Sequence, residues 1–426
     1  MPDDGSYIQF GTATVGLDLH APIVVSRDDL RRHLYVIGKT GTGKSTFLYN
    51  LMRTDLVAGH GFALLDPHGD LAVAISDATP AWRIAHGVIY LDPSDLAFPI
   101  GFNPLYGIAP DQRPLAAAHV VAAFQHIWGT SWGPRLEYIL TNALRLLLDA
   151  PGSTLLGLPR LLTDECYREQ LLAHVRDPVI RNFWQKEFAH YSDRYATEAI
   201  APIQNKVGTL LSPPAIRNML GQVRSTVDIR GIMDRGQVLI VNLAKGKLGE
   251  APTHLLGAFL ATAFAQAAEA RADVAEYERR DFTLYADEFQ HFATDSFATI
   301  LSEARKYHLA LVLAHQFVGQ IPDLLRQAVI GNAGSIVAFR IGAEDAPLIA
   351  SELGIETSAA LTDTGNFSAW IKLVRGGVPA DARTIEMLPP DVQCNSNFEL
   401  VRNRTRARYA RPRHSVEEKI GRFLGA

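Results

Sequence analysis

Residues 34–50 read LYVIGKTGTGKSTFLYN. An apolar run stops at Gly38, seven small or polar residues follow, and a helical pattern then begins. Gly38 to Ser45 match GxxxxGK[ST] in full, in the setting that gives the motif its meaning, a strand before it and the helix TFLYNLMRT after it. The glycines let the backbone curl so that consecutive N–H groups face a phosphate. The helix that starts there adds its positive end. Lys44 supplies a point charge for the β and γ phosphates, and the Ser45 hydroxyl is placed to ligand Mg2+. Gly38, Lys39, Thr40, Gly41, Thr42, Gly43, Lys44, Ser45 and Thr46 are therefore expected to hold ATP with Mg2+.

Around this turn, short apolar runs recur: 34–38, 62–66, 88–92, 237–243, 282–287, 309–315 and 335–341. Their near-continuous apolar character fits strands covered on both faces, and their alternation with helical stretches fits a mainly parallel α/β sheet. Between Pro104 and Gly236 the rhythm breaks and only helices are expected. PRLEYILTNALRLLLDAPG is the clearest, with Pro134 at the first helical position and Leu136, Ile139, Leu140, Ala143, Leu144, Leu147 and Leu148 at a 3.6-residue period. The expected organisation is a P-loop core split into 1–103 and 237–400, a helical subdomain over 104–236, and a basic tail over 401–426.

The 426 residues are 47% apolar and carry a net charge of −4, an ordinary soluble globular composition. No global charge argues for nucleic acid, so a polyanion would need local patches. Cys166 and Cys394 lack metal-site spacing and suit a reducing compartment. The apolar stretch 255–268 is too short to span a membrane and reads as a buried helix, and the N-terminal MPDDGSYIQF has no signal-peptide character. A cytoplasmic chain without membrane insertion is expected.

A P-loop needs a second carboxylate site, and FTLYADEFQHF supplies one at the carboxyl end of a strand. Asp287 suits the Mg2+ shell, and Glu288 suits polarisation of an attacking water, which points to hydrolysis. The segment Asp66-Pro67-His68-Gly69-Asp70 reads as a turn at the ligand edge with Asp70 capping the next helix. A metal site there is the competing reading.

HLYVIGKTGTGKST, GFALLDPHGDL, GFNPL, QVLIVNLAKGKLG, LYADEFQHFAT, SEARKYHLALVLAHQ and GNAGSIVAFRIGAEDA, in this order, resemble the HerA/FtsK superfamily of hexameric DNA-pumping ATPases. The chain looks nearest to the branch of type IV secretion coupling proteins and HerA-like translocases. The resemblance implies a RecA-like motor domain, ATP with Mg2+, a homo-hexameric ring and DNA threaded through it. It implies a γ-phosphate sensor role for Gln316 and a trans arginine finger at Arg305, with Arg340 as the competing candidate. The period of Phe297, Ile300, Leu301 and Ala304 leaves Arg305 off the buried face.

DNA contacts would be to phosphates, with Lys245 and Lys247 as candidate pore lysines. Arg402, Arg404, Arg406 and Arg408 would share one face of an extended tail, followed by Arg411 and Arg413. The residues before Leu34 are too few for the β-barrel typical of HerA, whereas the helical subdomain suits a coupling protein. Three functions follow: a DNA translocase working beside a nuclease or effector, a coupling ATPase delivering a relaxase–DNA complex to a secretion channel, or an ATP-binding ring that moves nothing.

Overall fold

The computed structural model describes residues 6–15, 19–390 and 395–425. Cys394 lies outside them, and Cys166 is an exposed free thiol. The chain forms two compact units. One comprises residues 1–91, 229–245 and 261–405, and the other 92–228, 246–260 and 406–426.

The first unit is built on a sheet. Its strands are β1 Tyr7–Val15, β2 Leu19–Ser26, β3 Leu34–Ile37, β4 Gly61–Asp66, β5 Val88–Leu91, β6 Val238–Asn242 and β7 Phe282–Ala286. There follow β8 Leu309–His315, β9 Ser335–Ala338, β10 Ser368–Lys372, the small pair β11 Val374–Arg375 and β12 Val378–Pro379, and β13 Arg383–Glu386. The order is β2-β1-β13-β10-β9-β3-β8-β7-β4-β6-β5. From β9 to β5 every pairing is parallel, while β10, β13, β1 and β2 form an antiparallel wing. All residues of β3 to β9 are buried, as continuous apolar runs require when helices cover both faces. Every apolar run read from the sequence is a strand. The last is shorter than 335–341, because after Ala338 the chain leaves the sheet and the Arg340 carbonyl accepts the Lys39 N–H at 2.8 Å.

The second unit is helical. Helices Arg113–Trp128, Pro134–Asp149, Gly157–Thr163, Asp193–Leu211 and Pro214–Leu220 enclose Ile139, Leu140, Leu144, Leu158, Ile203, Val207 and Leu220, all nearly inaccessible. This unit is broader than 104–236 and includes residues from 92 onward and the C-terminal segment. The helix Ile229–Arg235 belongs instead to the sheet unit.

In place of the expected basic tail stand two helices, Phe398–Tyr409 and Arg413–Leu424. Arginine is a good helix former, and Val401 and Thr405, four apart, supply a buried face. At 100° per residue, Arg402 and Arg406 fall on one side of the helix and Arg404 and Arg408 on nearly the opposite one, so the four share no single face. Several are tied locally: Arg402 to Glu399, Arg406 to Asp95 and Arg413 to Glu417. Arg411 and Arg413 flank the start of the second helix, and Arg411 is exposed.

Candidate active site

The carboxyl edge of the parallel strands gathers the site. After β3 the chain makes its phosphate-binding turn and enters the helix Lys44–Ala58. Gly41 and Gly43 have φ of 78° and 119°, a backbone region hostile to side chains. A Cβ on Gly38 would stand 2.5 Å from Cβ of Phe339, so packing as well as conformation demands glycine there. The Thr42 hydroxyl donates to the Lys39 carbonyl at 2.7 Å and braces the loop. Lys44 Nζ donates to the Gly38 carbonyl at 2.6 Å. Burial lowers the Lys44 pKa, opposed by the charges of Glu288 and Asp287.

Strand β8 lies between β3 and β7, pairing with both. The residue after β8, Gln316, is thereby placed between the phosphate turn and the two acids after β7. Its side-chain amide donates to Glu288 Oε1 at 2.9 Å, and Gln290 donates to Glu288 Oε2 at 2.8 Å. Glu288 Oε1 is 4.0 Å from Lys44 Nζ. Glu288 is 4% exposed and sits at φ 47°, an uncommon conformation for its residue type. A buried carboxylate fixed by two amides and facing the phosphate turn has the geometry of a base held for one proton.

Asp287 is also buried, and its pKa is pushed up to about 7 by burial and by the charges of Glu288 and Asp66. Asp66, at the end of β4, accepts from the N–H groups of His68 and Ala72 at 2.9 and 2.8 Å. Asp66 therefore caps the helix Asp70–Asp77, the role the sequence assigned to Asp70. Ser45, Thr46, Asp66, His68 and Asp287 line one cavity of about 460 Å³. Among the described residues no group of three or more His, Cys, Asp or Glu is arranged to hold a metal alone. One hydroxyl and one carboxylate beside a phosphate cradle suit Mg2+, which takes few protein ligands and completes its shell with phosphate and water. The crowded negative charge around Asp287 is what such a cation would relieve.

Behind this edge, Tyr35 and His315 share a buried hydrogen bond. Burial, then the Lys44 charge, hold the His315 pKa down at about 3, so the ring is neutral. Phe289 packs edge-on against His315 at 5.1 Å and so props the segment that carries Glu288. Sequence reading missed Gln290 and His315 as parts of the site, and it put Asp66 at the ligand edge without its capping role. Gln290 stands two residues from Glu288 and could have been suspected; His315 depends on strand order.

Not all expected site residues meet here. The Arg340 main chain touches the phosphate turn through Lys39. Arg305 is exposed and lies before β8, at the amino edge of the sheet, where it shares a cavity of about 440 Å³ with Arg32, His33 and Gly334. Lys245 and Lys247 are in a short helix, Lys245–Leu248. Lys245 is half-buried with Nζ 3.0 Å from Nε2 of His291, whereas Lys247 is exposed.

No protein-family model matches the sequence, and no curated protein matches it. Solved structures do. The bacterial conjugative coupling protein TrwB lacking its first 70 residues aligns with TM-score 0.62 and 15% identity over 91% of this chain and 90% of that one. TrwB in complex with ADP and Mg2+ aligns with TM-score 0.62 and 16% identity over 92% and 97%. VirB4 of Thermoanaerobacter pseudethanolicus aligns with TM-score 0.57 and 15% identity over 91% and 98%. Among the described residues no helix is long and apolar enough to cross a membrane. The α/β core with a phosphate turn after β3, β8 set between β3 and β7, and a helical unit is thus the RecA-like P-loop fold of the conjugative coupling protein TrwB and of VirB4.

Proposed function

We propose that the chain is an ATP hydrolase that drives DNA through a homo-oligomeric ring. The observation that carries hydrolysis is the buried Glu288 carboxylate, gripped by Gln290 and Gln316 and 4.0 Å from Lys44. A module that only binds nucleotide has no use for a base fixed in this way. Backbone N–H groups of Gly41 to Ser45 and the Lys44 ammonium bind and orient the triphosphate. Ser45 and Asp287 would hold Mg2+, which when bound would neutralise charge on the phosphate oxygens. Glu288 orients a water and takes its proton, and Gln316 fixes that carboxylate beside the terminal phosphate.

DNA as cargo, held through its phosphates with Lys247 as one candidate contact, draws support from the motif order and from the coupling-protein fold. Arg305 is assigned to a neighbouring subunit's site, and Arg340 to its own. A coupling ATPase that delivers a relaxase–DNA complex is the second reading; the alignment with TrwB over about nine-tenths of both chains, helical unit included, favours it. A translocase beside a nuclease or effector uses the same motor.

Steady-state ATPase activity with and without duplex and single-stranded DNA, at low and moderate salt, tests the proposal. Stimulation that fades with salt is expected. Glu288→Gln should bind ATP and lose turnover by at least about a hundredfold. Wild-type turnover in that variant would remove the base assignment, and hydrolysis indifferent to both DNA forms in the assembled protein would count against translocation.

A further inference from the structure

Phe367 is out of keeping with its position. It has φ 60° and directly precedes β10. For a bulky residue the left-handed region is a genuine outlier, and glycine or asparagine would sit there with less strain. Both residue types are present in the same turn, as Gly365 and Asn366, but the chain sets phenylalanine at the strained place. Burial does not repay this, because Phe367 is 52% exposed. Such strain persists where the surroundings over-determine it, and it concentrates where ligands are held.

The surroundings do over-determine it. The Phe367 N–H donates to the Thr42 carbonyl at 2.9 Å, and its own carbonyl accepts the Met387 N–H at 2.8 Å. The residue is therefore stitched on one side to the phosphate turn and on the other to the antiparallel wing. A Cβ on Gly43 would lie 3.2 Å from Cδ1 of Phe367, so a side chain at residue 43 would press on the ring and the glycine lets it lie against the turn. Cε1 of Phe339 lies 3.1 Å from the same Cβ position, so the two rings together crowd the side-chain direction of Gly43. The result is an exposed aromatic ring, fixed by main-chain bonds, at the margin of a triphosphate cradle.

We infer that Phe367 is a stacking platform for the base of the nucleotide. The inference rests on the nucleotide reading of the phosphate turn and extends it to the other end of the ligand. A ring recognises the π-face that every base presents, and no polar side chain is required to read the base edge. The site is therefore expected to take adenine and guanine nucleotides with similar affinity. Strain at residue 367 is the cost of holding the ring against solvent in the stacking pose before the nucleotide arrives.

Binding of ATP, GTP and inorganic tripolyphosphate, each with Mg2+, to the wild-type chain and to Phe367→Gly and Phe367→Tyr separates the possibilities. Phe367→Gly should raise the Kd for ATP and GTP about tenfold, as loss of one base–aromatic stack does. It should leave tripolyphosphate within twofold and leave the melting midpoint unchanged or higher, because the backbone strain is gone. Phe367→Tyr should restore nucleotide binding. Equal weakening of ATP and tripolyphosphate would show that the ring merely shapes the phosphate turn and would overturn the inference, as would ATP binding untouched by the glycine variant. A wild-type chain that binds neither ATP nor tripolyphosphate would instead overturn the nucleotide site itself.

Discussion

At the scale of single residues, the site depends on side chains that hold other side chains. Glu288 owes its direction to Gln316 and Gln290, one on each carboxylate oxygen. Replacing either by leucine removes a donor while leaving the phosphate turn intact. Gln316→Leu should lower kcat about tenfold to a hundredfold with the Kd for ATP within about threefold, because the loss falls on orientation of the base. Single-turnover hydrolysis alongside equilibrium binding separates the two; a rise in Kd without a fall in rate would reassign Gln316 to binding. A second residue-scale consequence is at the opposite sheet edge. His33 is buried, with Nδ1 accepting the Leu311 N–H at 3.1 Å and Nε2 3.0 Å from the Leu301 carbonyl. Burial lowers its pKa from 6.5 to about 4, opposed by the Leu301 bond and aided by the Arg305 charge. With the folded value depressed, the unfolded chain binds the proton first. The His33 contribution is full above pH 6.5 and is lost as pH falls toward 4, on the order of 3 kcal/mol. His33→Asn should be less stable at pH 7.5 and show a flatter stability profile between those limits in urea unfolding, whereas an unchanged slope would place the acid sensitivity elsewhere.

At the scale of elements, the sequence reveals what is local and hides what strand order decides. The phosphate turn, the seven buried strands and the helix from Pro134 are written in contiguous residues, so composition and period expose them. That β8 slots between β3 and β7 is a fact of pairing, and only that pairing sets Gln316 on Glu288 and His315 under Phe289. The cap at Asp66 likewise needed the turn geometry, since Asp66 and Asp70 are equally good caps on paper. Reading 401–426 as a basic tail with little core material failed because the alternation of arginine outweighed Val401 and Thr405, which mark the buried stripe. The consequence is mechanical. Strand β5 is the last of the sheet, and the N–H of Tyr90 donates to the Thr405 hydroxyl at 3.0 Å, so the helix Phe398–Tyr409 covers an edge that would otherwise be free to pair. Thr405→Val keeps the shape and removes the buried hydroxyl that accepts this N–H, which should cost about 1–3 kcal/mol in urea unfolding. Thr405→Ser should cost less. Equal losses in both would mean that packing, and not the hydrogen bond, secures the helix.

At the scale of the molecule, the two arginine candidates separate by sheet edge. Arg340 follows β9 on the edge that carries the phosphate turn. Arg305 precedes β8 and Gln316 follows it, and the seven intervening strand residues hold them about 20 Å apart at 3.3 Å per residue. No arginine side chain spans that distance, so Arg305 cannot serve the phosphate turn of its own subunit. If it stabilises transition-state charge, it does so across an interface, and hydrolysis then depends on assembly. Mixing decides this. Arg305→Ala subunits and Lys44→Ala subunits should each be inactive alone, at least a hundredfold below wild type. Mixed rings should regain activity wherever an intact phosphate turn meets an intact Arg305, with a maximum near equal proportions. Recovery would fix the order of subunits around the ring as well, because the amino edge of one sheet must face the carboxyl edge of the next. No recovery at any ratio, with mixed assembly verified by differently tagged subunits, would leave Arg305 a surface residue of its own cavity and return the role of charge stabilisation to Arg340.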